Sequence, residues 1–199
     1  MSRFNAFLIV FAILMVVYLI VNGPPQSQES TTLERRYQFL GILGDDIVGV
    51  ELSRSDDLRV SIVRQPDGSW QDRIQGVILT NSSLPEQISS MVAGIPFRQL
   101  TRFSSTQDLV QYELTENPQL VVSFESSAFS DSIMTYSIYI GTTTPNNQEY
   151  YAVFVNPSTN AVQGEWVYVI PQFYVQQLML MVERYASIMQ TGQGQTPDS

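Results

Sequence analysis

The chain of 199 residues contains no cysteine, no histidine and no lysine, so that every basic residue is arginine. Without cysteine or histidine it offers no Cys/His zinc site, haem-attachment motif, iron–sulfur ligand set or blue-copper site. The missing histidine, cysteine and lysine also remove the Ser-His and Cys-His nucleophiles, Schiff-base lysines and the P-loop lysine. We therefore expect no cofactor, and no metal or haem of the protein's own, which leaves carboxylates as the only catalytic candidates.

Positive charge is scarce as well. The formal net charge is −9 and the sequence pI is about 4.3. Such a charge disfavours nucleic acid as a partner, and it disfavours flat docking onto anionic lipid. Because there is no disulfide to close a loop, the folded domain must derive its stability from a hydrophobic core.

One long apolar run lies near the amino terminus, from Phe4 to Val21, and only Asn5 interrupts it. About 20 helical residues span the roughly 30 Å of a bilayer core. No small-x-small cleavage site follows the run, so the pattern predicts an uncleaved signal anchor over residues 1–22, in contact with the lipid bilayer through one helix. The residues assigned to this membrane anchor are Phe4, Phe7, Phe11, Met15 and Tyr18.

The few charges around the anchor predict its orientation. Arg3 precedes the apolar run, whereas Arg35 and Arg36 follow acidic Glu29 and Glu34. By the positive-inside rule the amino terminus is cytoplasmic and the following domain is extracytoplasmic, or periplasmic, on a bacterial inner membrane. Residues 23–32 predict a polar Pro/Gln/Ser linker, residues 33–189 an α+β domain, and residues 190–199 a disordered tail.

Periodicity predicts the fold class of the domain. Alternating patterns predict strands at 47–54 and 58–65, with Val48, Val50 and Leu52 on the buried face of the first, and an Asp67-Gly68 turn leads to a strand at Trp70. A helix is predicted from about Asn81, with Ser82 or Ser83 as its cap. Four β-branched and aromatic runs then predict an antiparallel meander, and a closing helix is predicted from Pro171 to Met189. The expected class is α+β: a single transmembrane helix, then a mainly antiparallel sheet with two or three packed helices.

Several of these segments carry a family resemblance. The most specific parts are the hairpin at Asp67, Gly68 and Trp70, the run "DLVQYELTENP" from Asp108 to Pro118, and Ile140-Gly141 ahead of a Tyr-rich strand. In this order and spacing, from about Ile47 to Arg184, the chain resembles the family catalogued as domain of unknown function 4340. The resemblance implies a bacterial, membrane-anchored extracytoplasmic domain, in some members associated with ABC-type transport systems. It implies no reaction.

Three groups of residues admit both a functional and a structural interpretation. The segment with Asp108, Leu109, Tyr112, Leu114 and Pro118 is either a ligand lip or, as favoured here, a capped turn that packs into the core. The acidic pairs Asp45-Asp46 and Asp56-Asp57 lack the spacing of a calcium loop and are interpreted as solvated turn acids. A glycosidase would need two facing carboxylates, for which Glu125, Glu149 and Glu165 are weak candidates.

Aromatic and methionine residues suggest a contact surface. Tyrosines crowd the meander, although strand alternation turns about half of them into the core, and the closing helix carries more apolar surface than one face needs. The residues assigned to partner binding are Tyr151, Trp166, Tyr168, Met181 and Tyr185.

These patterns favour a protein that is not an enzyme. We expect a membrane-anchored accessory or scaffolding subunit of a larger bacterial membrane complex, with other membrane-protein subunits as partners. The complex is either an ABC-type envelope system or a respiratory or photosynthetic electron-transfer assembly. The alternative is a tethered binding module for an envelope glycan or peptide.

Overall fold

The computed structural model describes residues 38–115, 117–128 and 132–192. The strands are β1 (Gln38–Phe39), β2 (Ile47–Arg54), β3 (Arg59–Arg64), β4 (Trp70–Asp72), β5 (Ile78–Leu79), β6 (Pro96–Arg102), β7 (Leu120–Ser126), β8 (Met134–Thr143), β9 (Glu149–Val155) and β10 (Trp166–Pro171). The α-helices are α1 (Ser83–Ala93) and α2 (Gln172–Gly192), and short 3₁₀ segments lie at Gly44–Asp46 and Thr106–Tyr112.

The predicted anchor over 1–22 and the linker over 23–32 lie outside the described residues. Within the described part, neither α1 nor α2 combines the length and the hydropathy that a membrane crossing requires.

The ten described strands form one sheet in the order β1-β6-β10-β9-β8-β7-β2-β3-β4-β5. Every pairing between these strands is antiparallel. The predicted meander is present as the adjacent strands β7 to β10, and the prediction of a mainly antiparallel sheet with packed helices is confirmed for these residues. The two strands at its flanks, β2 and β6, come from the first half of the chain.

The main core lies between one face of this sheet and the two helices. Alternation along β7 directs Leu120, Val122 and Phe124 to this face, as period-2 side-chain geometry requires. The helices contribute residues at spacings of three and four, namely Leu84, Ile88, Val92, Val175, Leu178, Val182 and Tyr185.

The start of β2 departs from the predicted alternation. Val50 and Leu52 are buried as expected, but Ile47 is fully buried while Val48 is only partly so. The pairing of β2 with β7 shifts register between Ile47 and Gly49, which marks a β-bulge. A bulge turns the preceding residues over, so the core residue is Ile47 and the assignment of Val48 was wrong.

Trp70 joins the β3–β4 hairpin to α1. Its ring is fully buried, and its indole N–H donates to Glu86 Oε1 at 2.9 Å. The other oxygen of Glu86 accepts from Arg64 at 2.8 Å, and the Arg64 guanidinium lies 4.8 Å from the Trp70 ring centroid. One carboxylate on the first turn of α1 therefore binds both strands of the hairpin.

Both α-helices begin and end near the residues predicted for them. At the start of α1 the capping side chain is Asn81, whose Oδ1 accepts from the Ser83 backbone N–H at 2.9 Å, whereas Ser82 makes no side-chain cap bond. Helix α2 continues to Gly192, beyond the predicted domain end at 189, because no glycine or proline occurs in it before that position.

Candidate interaction surface

The segment from Phe103 to Leu114 covers part of the opposite face of the sheet. Leu109 and Leu114 are fully buried there, in a second small core against β9 and β10, and Tyr112 packs on it. The Asp108 carboxylate accepts the backbone N–H groups of Ser104 and Ser105 at 2.9 and 3.1 Å, and these hydrogen bonds hold its pKa below the usual range. The geometry is that of the capped turn, and the Asp108 carboxylate is occupied by backbone donors.

This segment crosses β8 at very close range. A Cβ atom placed on Gly141 would lie 1.9 Å from the Tyr112 carbonyl oxygen and 2.9 Å from that of Glu113. Glu113 itself has a left-handed backbone, with φ of 56°. Two motifs that are far apart in sequence, the run from Asp108 and the Ile140-Gly141 pair, are therefore in direct contact.

The aromatic residues of the meander divide between the two faces of the sheet. Phe97, Phe154 and Tyr168 pack edge to face on the helix side, with ring centroids 5.2–5.5 Å apart. On the opposite face the ring centroids of Tyr151 and Tyr112 lie 4.4 Å apart, and burial raises the pKa of Tyr151. The expected alternation is present, and these tyrosines do not form one platform.

The five residues assigned to partner binding are likewise separated. Tyr151 and Tyr168 belong to opposite faces of the sheet, and Trp166 is half-buried with the Arg102 guanidinium 4.9 Å from its ring centroid. Met181 is half-buried beside α1, and Tyr185 is only 4% exposed. Tyr185 therefore belongs to the core and not to any exposed surface.

The Tyr185 hydroxyl binds a buried carboxylate. It donates to Asp72 Oδ2 at 2.5 Å, while the Gln75 backbone N–H donates to Oδ1 at 2.6 Å, and Asp72 is 2% exposed. Burial, together with this hydrogen bond and the charge of Asp72, raises the pKa of Tyr185 well above its ordinary value. The pair connects the last turns of α2 to β4 across 113 residues of sequence.

Replacing Tyr185 by phenylalanine is expected to lower the free energy of unfolding by about 1.5–3 kcal/mol, the usual cost of losing a hydrogen bond to a charged group. Because the pKa of Tyr185 is raised on folding, its contribution is complete below the unfolded value of about 10 and is lost as the pH rises above it. Urea titrations between pH 7 and 11 should show wild type losing stability above pH 10 more steeply than Tyr185→Phe. An equal dependence of the free energy of unfolding on pH in the two proteins would contradict this role of Tyr185.

The strand glutamates are engaged by arginine. Glu125 accepts two bonds from Arg73 at 2.8 and 2.6 Å, and Glu149 accepts two from Arg98 at 3.0 Å. Glu125 lies opposite Thr135, whereas Glu149 precedes Tyr150, which lies opposite Thr143. Thr135 and Thr143 are eight residues apart along β8, which corresponds to about 26 Å. Paired glycosidase carboxylates are only about 5–10 Å apart. The structure therefore does not bring Glu125 and Glu149 together.

Two of the four turn acids, Asp46 and Asp56, have defined partners. Asp46 accepts the Leu43 backbone N–H at 3.0 Å, and Asp56 pairs with Arg54 at 2.9 Å. Within the part of the chain that the structure describes, no group of three acidic residues is arranged to hold a metal ion.

Helix α2 carries exposed apolar side chains at helical spacing on the side away from the core. Phe173, Leu180 and Ile188 are 62%, 54% and 50% exposed. They lie at positions 0, 7 and 15, which at about 100° per residue fall within about 80° of arc, and the polar residues Gln177 and Arg184 lie between them in the same arc. We call these three residues the outer face of α2.

A groove of about 660 Å³ lies between α1 and α2, and Met91, Tyr174 and Met181 line it with mostly apolar surface. Of the five residues assigned from sequence, only Met181 lies near the outer face of α2. The spacing from Phe173 to Ile188, opposite the buried Val175, Leu178 and Val182, was the signal that could have identified this face.

Comparison with protein-family models, curated proteins and solved structures finds no match to the chain.

Proposed function

We propose that the chain is a non-catalytic accessory or scaffolding subunit of a larger bacterial membrane complex. In this proposal residues 1–22 anchor it in the inner membrane, the domain is extracytoplasmic, and the outer face of α2 contacts another protein. The resemblance to domain of unknown function 4340 is part of the proposal, and it favours an ABC-type envelope system as host, with a respiratory or photosynthetic electron-transfer assembly as the other candidate.

The outer face of α2 is the observation that carries the proposal. Exposed apolar side chains that are scattered singly are normal on a protein surface, whereas a contiguous apolar patch marks a binding surface. The proposal takes the alignment of three such side chains on one side of α2, beside the apolar groove against α1, as this signal. Burying a large apolar side chain is favourable by about 1.5–3 kcal/mol, and Phe173, Leu180 and Ile188 each leave half or more of their surface to solvent. A partner that covers all three recovers much of this free energy.

The described carboxylates support a non-catalytic role. Glu125 and Glu149 are each bound by two arginine N–H groups, and Asp108 is bound by backbone donors. The alternative of a glycan-binding or peptide-binding module has less support, because the aromatic residues are divided between the two faces of the sheet.

The test is a gentle detergent extraction through a tag after residue 190, followed by mass spectrometry of proteins that co-purify at equal stoichiometry. Leu180→Glu is expected to reduce the co-purifying subunits at least tenfold, because it replaces an apolar contact by a carboxylate that must lose its hydration when the partner covers it. Gln99→Glu, at an exposed position of β6, is the matched control and should retain them. If wild type emerges alone, or if both variants behave alike, the proposal fails.

A further inference from the structure

A cleft lies where the chain leaves β2 and where it enters β7. Its volume is about 750 Å³, within the range of about 300–1,000 Å³ that is usual for small-ligand sites. The turn after β2, the 3₁₀ segment and the loop before β7 all contribute to it. Six of the residues that line it are Ser55, Gln107, Val110, Glu113, Thr115 and Asn117, and we call them the polar cleft.

The polar side chains of this cleft have hydrogen-bonding capacity to spare. In the described part of the chain, the amides of Gln107 and Asn117 and the hydroxyls of Ser55 and Thr115 make no hydrogen bond to protein. The Glu113 carboxylate accepts one long bond, at 3.4 Å, from a neighbouring amide. The strand glutamates, by contrast, each accept two bonds from arginine. The polar cleft therefore presents groups that remain available to a ligand.

The walls of the cleft are held in place by the fold itself. Leu109 and Leu114, on either side of Glu113 in the chain, are fully buried. In the turn after β2, the Ser55 backbone N–H donates to the Gln119 carbonyl oxygen at 3.3 Å, which ties this turn to the loop before β7. A site whose loops are already ordered loses less binding free energy when a ligand arrives.

The chemistry of the lining favours a ligand that is rich in hydroxyl groups. An amide offers N–H donors and a carbonyl acceptor, and a hydroxyl also donates and accepts, so these groups match the neighbouring hydroxyls of a sugar. Val110 is 51% exposed and offers apolar contact to the C–H groups of a sugar ring. The described lining residues include no arginine, and the Glu113 carboxylate accepts hydroxyl protons but repels anions. The favoured ligand is therefore uncharged.

An extended peptide suits the cleft less well than a sugar does. Grooves that bind extended peptides combine main-chain hydrogen bonds with pockets for alternate side chains. Val110 is the one apolar side chain among the described lining residues, so the cleft offers little to the side chains of a peptide.

We propose that the polar cleft binds a neutral saccharide through Gln107, Asn117 and Glu113, with Val110 against the sugar ring. The same hydroxyl chemistry occurs in soluble oligosaccharides and in the sugar headgroups of lipids. This site is separate from the outer face of α2, so it goes beyond the proposed function and does not depend on it. Because no aromatic ring lines the described part of the cleft, neutral hydrogen bonds carry the affinity, and we expect a Kd of about 0.1–1 mM.

The test uses the full-length protein in a detergent without a sugar headgroup, because an alkyl maltoside would compete for the cleft. Saturation-transfer NMR measures the binding of maltotetraose, cellotetraose and chitotetraose, with tetragalacturonate as the anionic probe and an uncharged Gly/Ser octapeptide as the peptide probe. At least one neutral tetrasaccharide should bind with the expected Kd. Tetragalacturonate should bind at least about fivefold more weakly than that sugar, because Glu113 repels its carboxylates.

Two substitutions locate the site. Gln107→Ala and Asn117→Ala should each weaken binding about three- to tenfold, the usual effect of losing one neutral hydrogen bond. Neither side chain has a hydrogen-bond partner in the described protein to lose, so the Tm should not change. Gln99→Ala removes an exposed amide on β6, outside the cleft, and is the matched control that should bind as wild type does. Cleft variants that bind the sugar as well as this control would overturn the inference.

Maltose and dodecyl maltoside separate the two sources of the ligand, because they present the same sugar free and as a headgroup. Binding of the free sugar identifies a soluble saccharide, and binding of the headgroup form alone identifies a lipid, provided that Asn117→Ala weakens it. If none of the neutral sugars binds in either form, or if the octapeptide binds more tightly than every sugar, the inference is overturned. Co-purification of partner subunits should be the same for Asn117→Ala and wild type, so the proposed function stands or falls separately.

Discussion

Gly141→Ala is expected to lower the free energy of unfolding by about 3–5 kcal/mol or to prevent folding, a larger effect than most single substitutions produce. The added methyl carbon would lie 1.9 Å from the Tyr112 carbonyl oxygen, which is backbone and has no rotamer with which to move away. The segment from Phe103 to Leu114 must therefore lift off β8, and Leu109 and Leu114 lose their burial against β9 and β10. Urea denaturation followed by circular dichroism measures the loss.

Gly94→Ala is the matched control for this prediction. Gly94 has a φ of −85°, and its added Cβ would have the Ser90 carbonyl oxygen at 3.2 Å as its nearest neighbour. Small shifts at the end of α1 relieve that contact, so we expect a change below about 1 kcal/mol. Equal stabilities of Gly141→Ala and wild type would show that the segment does not cross β8 at this distance.

Arg98→Met is expected to lower the free energy of unfolding by about 3–5 kcal/mol, because it removes the Arg98 cation from a buried carboxylate. The Glu149 side chain is 5% exposed and that of Arg98 is 18% exposed, and their two hydrogen bonds hold β6 to β9 across β10. Replacing both residues, in Arg98→Met with Glu149→Met, removes the buried charge. The double variant should therefore recover most of the stability lost in the single one.

Arg59→Met serves as the control for an ion pair. Arg59 binds Glu51 at 2.7 Å, but their side chains are 53% and 33% exposed, and exposed pairs contribute about 0–1 kcal/mol. Equilibrium urea titrations at pH 7 of wild type, Arg98→Met, the double variant and Arg59→Met measure these changes in the free energy of unfolding. If Arg98→Met lowers the free energy of unfolding by no more than Arg59→Met does, burial does not determine how much the Arg98–Glu149 pair contributes to stability.

Local features of the fold are predictable from the sequence because their causes are local. Alternation locates β7 to β10, Asp67-Gly68 marks the β3–β4 hairpin, and the three- and four-residue spacing of Val175, Leu178 and Val182 identifies the buried face of α2. The burial of Val50 and Leu52 follows in the same way. Each of these signals is contained within fewer than about 20 residues.

The errors arise where distant parts of the chain meet. The bulge that buries Ile47 in place of Val48 is defined by pairing with β7, about 75 residues later. The contact of Gly141 with Tyr112 depends on how the 3₁₀ segment crosses the sheet, which periodicity does not encode. Tyr185 continues the spacing of Leu178 and Val182, so its burial was available from the helical pattern, but its partner Asp72 was not.

The strand order has a consequence for how the chain folds. The sheet places the carboxyl-terminal meander between β2 and β6, so neither half of the chain completes the sheet alone. Such non-local pairing slows folding relative to proteins with mostly local contacts. During synthesis, β2 to β6 emerge first and keep unpaired edges until β7 to β10 arrive, and Asp72 gains its hydroxyl donor only when α2 is present. The first half of the newly made chain is therefore the part that most needs protection from aggregation.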